Sequence, residues 1–164
     1  MVCVLFLEYQ WGEIMIIKYV ISCFIACIGY GILFNIHGRK LLLVGLAGAL
    51  GTLVYELALA SQMSTILSLF VAAIVIGIYS EVMARICKCP VTIFVVCALI
   101  PFVPGGGMYK TMLYAIQGDV YQALTTCIET ITASFVLVLG ILAVGPFVRL
   151  IRKIKKEGMS IWRK

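Results

Sequence analysis

The sequence carries very little charge for its length, and this excludes an ordinary soluble domain. Only 12% of its 164 residues are charged, whereas 63% are hydrophobic, and the mean hydropathy is +1.15. A soluble domain has roughly 45–50% apolar residues and about 25% charged ones. The chain is therefore predicted to be an integral membrane protein, and its length fits one helical bundle without a soluble domain.

Histidine and aspartate are nearly absent, which argues against an intramembrane enzyme. His37 and Asp119 are each the only residue of their kind, and no His-Glu-x-x-His motif occurs. Serine–histidine, metal-dependent and paired-aspartate mechanisms all need groups that this sequence lacks. Its cysteines form no Cys-x-x-Cys pair and lie mostly in apolar runs, where cysteine acts as a small hydrophobe. The sequence therefore indicates no cofactor and no metal site.

The excess of basic residues is not arranged as it is in nucleic-acid-binding proteins. The net charge is +6, but the basic residues cluster at the ends of apolar segments. In a five-span layout all of them except Lys18 and Lys110 fall on one side of the membrane. Lysine and arginine bias short loops toward the cytoplasm. We therefore expect a multi-pass protein of the cell membrane with its N-terminus outside and its C-terminus cytoplasmic, and no nucleic-acid partner.

Five apolar stretches are predicted to cross the membrane as helices: residues 14–36, 41–60, 65–86, 91–117 and 121–147. A helix rises 1.5 Å per residue, so about 20 apolar residues cross a hydrocarbon core of roughly 30 Å. The fold class is thus all-α, a polytopic membrane helical bundle whose fourth helix is broken at Pro101–Gly107. We expect an N-terminal tail over 1–13, or a start-site artefact there. The bundle is expected over 14–148 and a basic cytoplasmic tail over 149–164.

The break in the fourth span is the candidate site. Its prolines and its three consecutive glycines disfavour helix, because proline removes a backbone donor and glycine weakens helix by about 1 kcal/mol. A second half-helix is predicted from Met108 to Gln117. Its free N–H groups would point into the bundle and could hold an anion, with Lys110 adding a positive charge. A plain kink or an external turn is the alternative.

Three carboxylates, Glu56, Glu81 and Glu129, lie inside predicted spans. A charged side chain at the bilayer centre costs a few kcal/mol and is usually functional. Stripes of small residues beside them predict that each points at protein. Glu81 has Arg85 one turn later, so an ion pair is the alternative there. Glu129 shares a polar stripe with Thr126, at the expected depth of the break.

The break also carries a family resemblance. The pattern Ile-Pro-x-x-Pro-Gly, a small residue and tyrosine, here Ile100 to Tyr109, resembles the small-subunit half of the threonine/serine exporter family. Softer matches over about residues 15–148 are Phe34-Asn35, Gly48 to Gly51 with Tyr55, and Glu81 before Ala84-Arg85. The resemblance implies a five-helix membrane domain that works with a larger partner subunit. It also implies proton-driven export of threonine, serine or dicarboxylates such as succinate.

The predicted function is therefore a membrane subunit of a secondary exporter for small polar amino acids or dicarboxylates. A non-transporting membrane scaffold is the alternative, since stripes of small residues fit it equally well. The expected partners are the larger subunit, the lipid bilayer and a small substrate with a carboxylate, with a homo-oligomer left open. Substrate contacts are expected from Pro101, Pro104, Gly105, Gly106, Gly107, Tyr109, Lys110 and Thr126. Proton coupling is expected from Glu129, Glu56 and Glu81.

Overall fold

The computed structural model describes the backbone of residues 13–161 and the side chains of residues 16–146 and 148. This part of the chain contains six α-helices and one 3-10 turn. They are α1 (Glu13–Leu33), α2 (Arg39–Ala60), α3 (Thr65–Ile86), α4 (Val91–Leu99), the 3-10 turn (Ile100–Phe102), α5 (Gly105–Ile116) and α6 (Val120–Ile161). The all-α fold predicted from the sequence is confirmed. The predicted N-terminal tail lies outside the described residues, except for Glu13.

Four of these helices, α1, α2, α3 and α6, are long and apolar enough to cross a membrane. The pair α4–α5 makes a fifth crossing if it is counted as one span, and its two parts meet at a bend of 41°. Helices suit this environment because they satisfy their backbone donors and acceptors internally, away from water. The chain is therefore a multi-pass membrane bundle of the predicted kind.

The glycines of the break are helical, contrary to the sequence prediction. We expected the second half-helix to begin at Met108, but α5 begins at Gly105, with Pro104 as its N-cap residue. The N–H groups of the first turn of a helix have no acceptor within that helix. A proline at the start of the helix therefore costs no helical hydrogen bond. The interruption is therefore short: it follows the 3-10 turn and is confined to Val103 and Pro104.

The last helix is longer than predicted. The fifth span was predicted to end at residue 147, but α6 continues through Pro146 to Ile161. A proline inside a helix removes one backbone donor, and a helix of this length keeps its remaining bonds. The apolar part of α6 suited to crossing a membrane covers Val120–Pro146. Where the bundle ends and the basic tail over 149–164 begins stays a prediction.

Small residues bring the helices close together around α4, which packs against α1, α2 and α3. Phe94 of α4 is fully buried. A Cβ on Gly51 of α2 would lie 2.5 Å from Ile76 of α3 and 3.2 Å from the ring of Phe102. Close contacts of this kind were predicted from the stripes of small residues. They stabilise the bundle by van der Waals packing, because the hydrophobic effect does little to hold helices together in lipid.

The contact between α3 and α6 fixes their register. A Cβ on Gly140 would lie 2.7 Å from the Cβ of Ala73, and one on Gly77 would lie 2.9 Å from Val144. Both contacts have the same offset in sequence, so the helices run parallel here, and Thr65 at the start of α3 is level with Thr132. We call the half of the bundle that holds these contacts the closed half. The half around the α2–α3 turn and the break is called the open half.

A candidate transport site at the broken helix

The open half contains a cavity of about 860 Å³. Its walls come from α1, α2, the start of α3, the break with α5, and α6. The lining residues are Tyr19, Cys23, Thr52, Tyr55, Glu56, Leu59, Ser64, Thr65, Ile66, Leu69, Pro101, Phe102, Pro104, Gly106, Gly107, Lys110, Tyr114, Thr126, Ile128, Glu129, Thr130, Thr132 and Ala133. This volume lies within the range of small-molecule sites, about 300–1,000 Å³.

Aromatic side chains form the apolar part of the lining. Tyr55 of α2 and Phe102 of the 3-10 turn are both buried and pack edge to face, with ring centroids 6.2 Å apart and planes at 82°. Pro101 lies beside them in the lining and is also buried. Edge-to-face pairs contribute about 0.5–1.5 kcal/mol beyond area burial. The break is thus anchored to α2 by its own phenylalanine.

The polar groups between α1 and α2 are already engaged. The Cys23 thiol donates to the Gly48 carbonyl at 3.6 Å, and the Thr52 hydroxyl donates to the same oxygen at 3.0 Å. With its proton committed to the backbone, Thr52 can offer the cavity only an acceptor. The helices α1 and α2 can approach this closely because Gly48 has no side chain; a Cβ there would collide with Cys27.

The first turn of α5 borders the cavity. Gly106 is buried, and a Cβ on Gly107 would collide with the Thr130 hydroxyl of α6. No side chain caps this helix. The N–H groups of a first turn have no acceptor within their own helix and carry the positive end of its dipole. Lys110, half-buried, lines the cavity one turn later and is engaged in an interaction of its own.

Glu56 brings an acidic group to the opposite wall. Its side chain is half-buried, and its Oε1 atom is buried without a hydrogen-bond partner among the described residues. Most buried carboxylate oxygens in proteins are hydrogen-bonded. An unpartnered one beside a cavity of this size is therefore a candidate for contact with water, a proton or a ligand.

Glu129 also lines the cavity, but it is exposed, although the sequence predicted that it points at protein. The register between α3 and α6 explains this. Thr65, where α3 begins, is level with Thr132, so Glu129 lies about one turn before the level at which α3 starts. The Glu129 carboxylate forms no hydrogen bond or ion pair with the residues that the structure describes.

The structure brings most of the predicted site residues to this one cavity. Those in the lining are Pro101, Pro104, Gly106, Gly107, Lys110, Thr126, Glu56 and Glu129. Gly105, Tyr109 and Glu81 are not among the lining residues; Tyr109 is exposed, and Glu81 pairs with Arg85 at 2.7 Å. Their substrate and proton-coupling roles stay predictions, as do those of the lining residues.

Sequence reasoning missed Thr130, the residue of α6 that packs against the break. The predicted stripe held Thr126, which is half-buried, and Glu129, which is exposed, whereas Ala123, Thr130 and Leu137 are buried. The Thr130 hydroxyl donates a hydrogen bond to the Thr126 carbonyl at 2.6 Å. Because this hydrogen bond satisfies the hydroxyl, Thr130 can pack tightly against Gly107 of the break. The seven-residue spacing of the buried positions was the signal available in the sequence.

Comparison with known proteins identifies relatives of this chain. A family model described as "Threonine/Serine exporter, ThrE" matches residues 19–146. An uncharacterized protein of Haemophilus influenzae is 27% identical over 124 residues. That match covers 74% of this chain and only 42% of the relative, so this chain spans less than half of the relative's length. No solved structure matches.

Proposed function

Because the chain belongs to the threonine/serine exporter family, ThrE, we propose that it is a membrane subunit of a secondary exporter for threonine and serine or for dicarboxylates. The family is described as one of exporters, which supports transport rather than enzyme activity. The observation that carries the proposal is the cavity at the broken helix, where the first turn of α5 and two carboxylates line one space. The coupling ion proposed is the proton.

The substrate carboxylate binds at the first turn of α5 in this proposal. Gly106 and Gly107 bring N–H groups of this turn to the cavity without a side chain in the way, and Lys110 lines the same wall. Oriented N–H groups at a helix N-terminus are a general device for holding anions, and broken transporter helices use it near the membrane centre. The hydroxyl or second carboxylate of the substrate then reaches toward Thr126 and the α2 wall.

Protons are carried by Glu56 and Glu129 in this proposal. Both are acidic, both line the cavity, and neither forms an ion pair with a described residue. An acidic side chain inside a membrane bundle marks a proton or ion path more often than a structural contact. Glu81 has a different environment, since Arg85 already neutralises it.

A larger partner subunit completes the exporter. This chain corresponds to 42% of the Haemophilus relative, which therefore has more than half of its length outside the match. The family resemblance in the sequence implied such a second part. A homo-oligomer is the competing arrangement.

Efflux from preloaded cells tests the proposal. Cells producing this chain together with its partner are loaded with labelled threonine, serine or succinate, and efflux is followed for wild type and Gly106→Leu. Leucine would fill the first turn of α5, so efflux should fall at least tenfold while protein levels stay similar. Gly29→Ala serves as control, because a Cβ at Gly29 of α1 meets no atom within 4 Å. Wild-type efflux by Gly106→Leu would contradict the site, and no efflux of any substrate by wild type would favour the scaffold.

A further inference from the structure

The two carboxylate oxygens of Glu56 have different surroundings. Oε1 is buried and has no hydrogen-bond partner among the described residues. Oε2 forms no hydrogen bond or ion pair with them either, and it is the oxygen that this lining side chain offers to the cavity. Burial disfavours an ionised carboxylate unless a positive group compensates it. Glu56 therefore needs either a proton or a cation at Oε2.

The described residues around the cavity supply no cation to Glu56. Lys110 is the only basic residue in the described lining, and it forms no ion pair with Glu56. Lys18 of α1 is exposed and is not in the lining. The remaining titratable side chains of the lining are Tyr19, Cys23, Tyr55, Tyr114 and Glu129. None of these carries a positive charge, so the cation must come from a ligand.

The wall that suits an anion adjoins Glu56. Tyr55, the residue before Glu56, packs edge to face against Phe102, with ring centroids 6.2 Å apart. Shortly after Phe102, α5 begins at Gly105, and its first turn borders the same cavity. One wall thus favours a negative group, and the neighbouring wall favours a positive one. A zwitterionic α-amino acid carries both groups on a single carbon atom.

Resting on the proposed function, we infer that Glu56 binds the ammonium group of a zwitterionic α-amino acid, and that a proton competes with this group for the same carboxylate. The substrate carboxylate lies at the first turn of α5, and the ammonium group donates to Oε2. A proton from the more acidic compartment neutralises Glu56, so the ammonium group loses its charged acceptor and the amino acid leaves. The next amino acid displaces that proton on the other side of the membrane.

Glu129 lines the same cavity but has a different requirement. Its side chain is exposed, so water can solvate the ionised carboxylate without a ligand. Its ionised form is therefore stable whether the cavity is full or empty. Of the two lining carboxylates, Glu56 is the one whose charge depends on the substrate.

A dicarboxylate fits this arrangement poorly. Its second carboxylate would face Glu56 of α2 or Glu129 of α6, and like charges held close together repel. Lys110 lies on the α5 wall, where the first carboxylate already binds. Of amino acids and dicarboxylates, the cavity therefore selects amino acids.

Calorimetric binding tests the ammonium contact on the full chain, purified in mild detergent with any protein bound to it. The ligands are L-serine and glycerate, which keeps the carboxylate but has a hydroxyl group in place of the ammonium group. Wild type should bind serine at least tenfold more tightly than glycerate, and Glu56→Gln should bind both equally. The comparison in wild type needs no variant, so it holds even if Glu56→Gln folds poorly. Equal affinities in wild type, or a serine preference that persists in Glu56→Gln, would overturn the inference.

Proton release tests the competition. Titrations in buffers of different ionisation enthalpy count the protons released when serine binds. Serine affinity should fall as the pH is lowered, and about one proton should leave per serine bound where Glu56 is protonated. Glu56→Asp should keep this release and Glu56→Gln should lose it, whereas the control Glu81→Gln, whose carboxylate is paired outside the cavity, should keep it. No release by wild type, or full release by Glu56→Gln, would contradict the competition.

Efflux from preloaded cells separates this inference from the proposed function. Serine binding with proton release but without efflux of any substrate contradicts only the function. Efflux of succinate at the serine rate, together with an unchanged serine preference in Glu56→Gln, contradicts only the role of Glu56.

Discussion

The closed and open halves of the bundle solve the same packing problem in opposite ways. In the closed half, glycine and alanine bring α3 and α6 into contact, as at Gly140 and Ala73. In the open half the same two helices border a cavity of about 860 Å³. Lipid gives helices little hydrophobic reason to associate, so small-residue contacts are what hold such bundles together. The packing of the closed half therefore stabilises the bundle, and the open half keeps space for a small molecule.

The carboxylates follow the same division. Glu81 is paired with Arg85 at 2.7 Å, which is an ordinary contact between residues four apart on a helix. Glu56 has a buried oxygen without a partner, and Glu129 is exposed without one, among the residues described. A carboxylate that pairs within its own helix needs nothing else. Carboxylates without a partner in a membrane-spanning bundle indicate the half that can bind a proton, a ligand or a partner protein.

The largest expected effect is at the residue that joins the two halves. Phe102→Ala should lower the free energy of unfolding by about 3 kcal/mol, because it leaves a cavity beside Tyr55 and Gly51. Phe135→Ala is the matched control, since Phe135 is 63% exposed and Phe102 only 8%. The measurement is thermal unfolding of each purified variant in detergent. Equal midpoints for the two alanine variants would show that the break is not anchored as described.

Two helical glycines, Gly140 of α6 and Gly29 of α1, distinguish close packing from mere glycine content. Gly140→Ala should destabilise by about 1–3 kcal/mol, because the new Cβ would overlap Ala73 and approach the Phe70 carbonyl. Gly29→Ala should be neutral or stabilising by up to about 1 kcal/mol, since its Cβ has open space and alanine favours helix. Shifts of the same sign in thermal unfolding would remove the basis for the closed half.

Neighbouring glycines of the break should respond differently as well. Gly107→Ala should reduce stability by about 1 kcal/mol and lower efflux, because the Cβ collides with Thr130. Gly105→Ala meets no atom within 4 Å and should leave both unchanged. The double variant Gly107→Ala with Thr130→Ala should recover most of the loss. A lack of recovery in efflux and unfolding assays would mean that Thr130 is not what Gly107 accommodates.

The smallest expected effect concerns the ion pair of α3. Arg85→Met removes the partner of Glu81, and an exposed pair of residues four apart contributes only about 0.2–0.5 kcal/mol. Thermal unfolding should therefore change by a degree or two, and efflux should remain near wild type. A large loss of export from Arg85→Met would place Glu81 in the mechanism after all.

The sequence predicted the fold well because a membrane permits few alternatives. Twenty-residue apolar runs can only be helices, so the bounds of α3 at Thr65 and Ile86 agreed with the prediction. The glycines of α5 were misjudged because helix propensity describes interiors, and these residues begin a helix. The end of α6 was placed too early, since one backbone bond lost at Pro146 does not end a long helix.

The candidate site was only partly predictable. Helical depth was enough to place Glu129 at the level of the break, and both line one cavity, whereas the presence of Glu56 in the same lining did not follow from its predicted depth. The face of α6 that meets the break was missed, because threonine and glutamate on adjacent positions satisfy the same polar pattern and the seven-residue spacing of Ala123, Thr130 and Leu137 was not used. The exposure of Glu129 depends on where α3 begins relative to α6, and that register comes from tertiary contacts at Gly140 and Gly77.

The central claim is that carboxylates of the open half, and not the paired one, carry protons for transport. The most direct measurement is efflux of labelled substrate from proteoliposomes containing the assembled exporter, with and without an imposed proton gradient. The account predicts that Glu56→Gln abolishes the acceleration by the gradient, at least tenfold, while Glu81→Gln keeps it. Gradient-driven efflux by Glu56→Gln at the wild-type rate, or its loss in Glu81→Gln alone, would contradict the account.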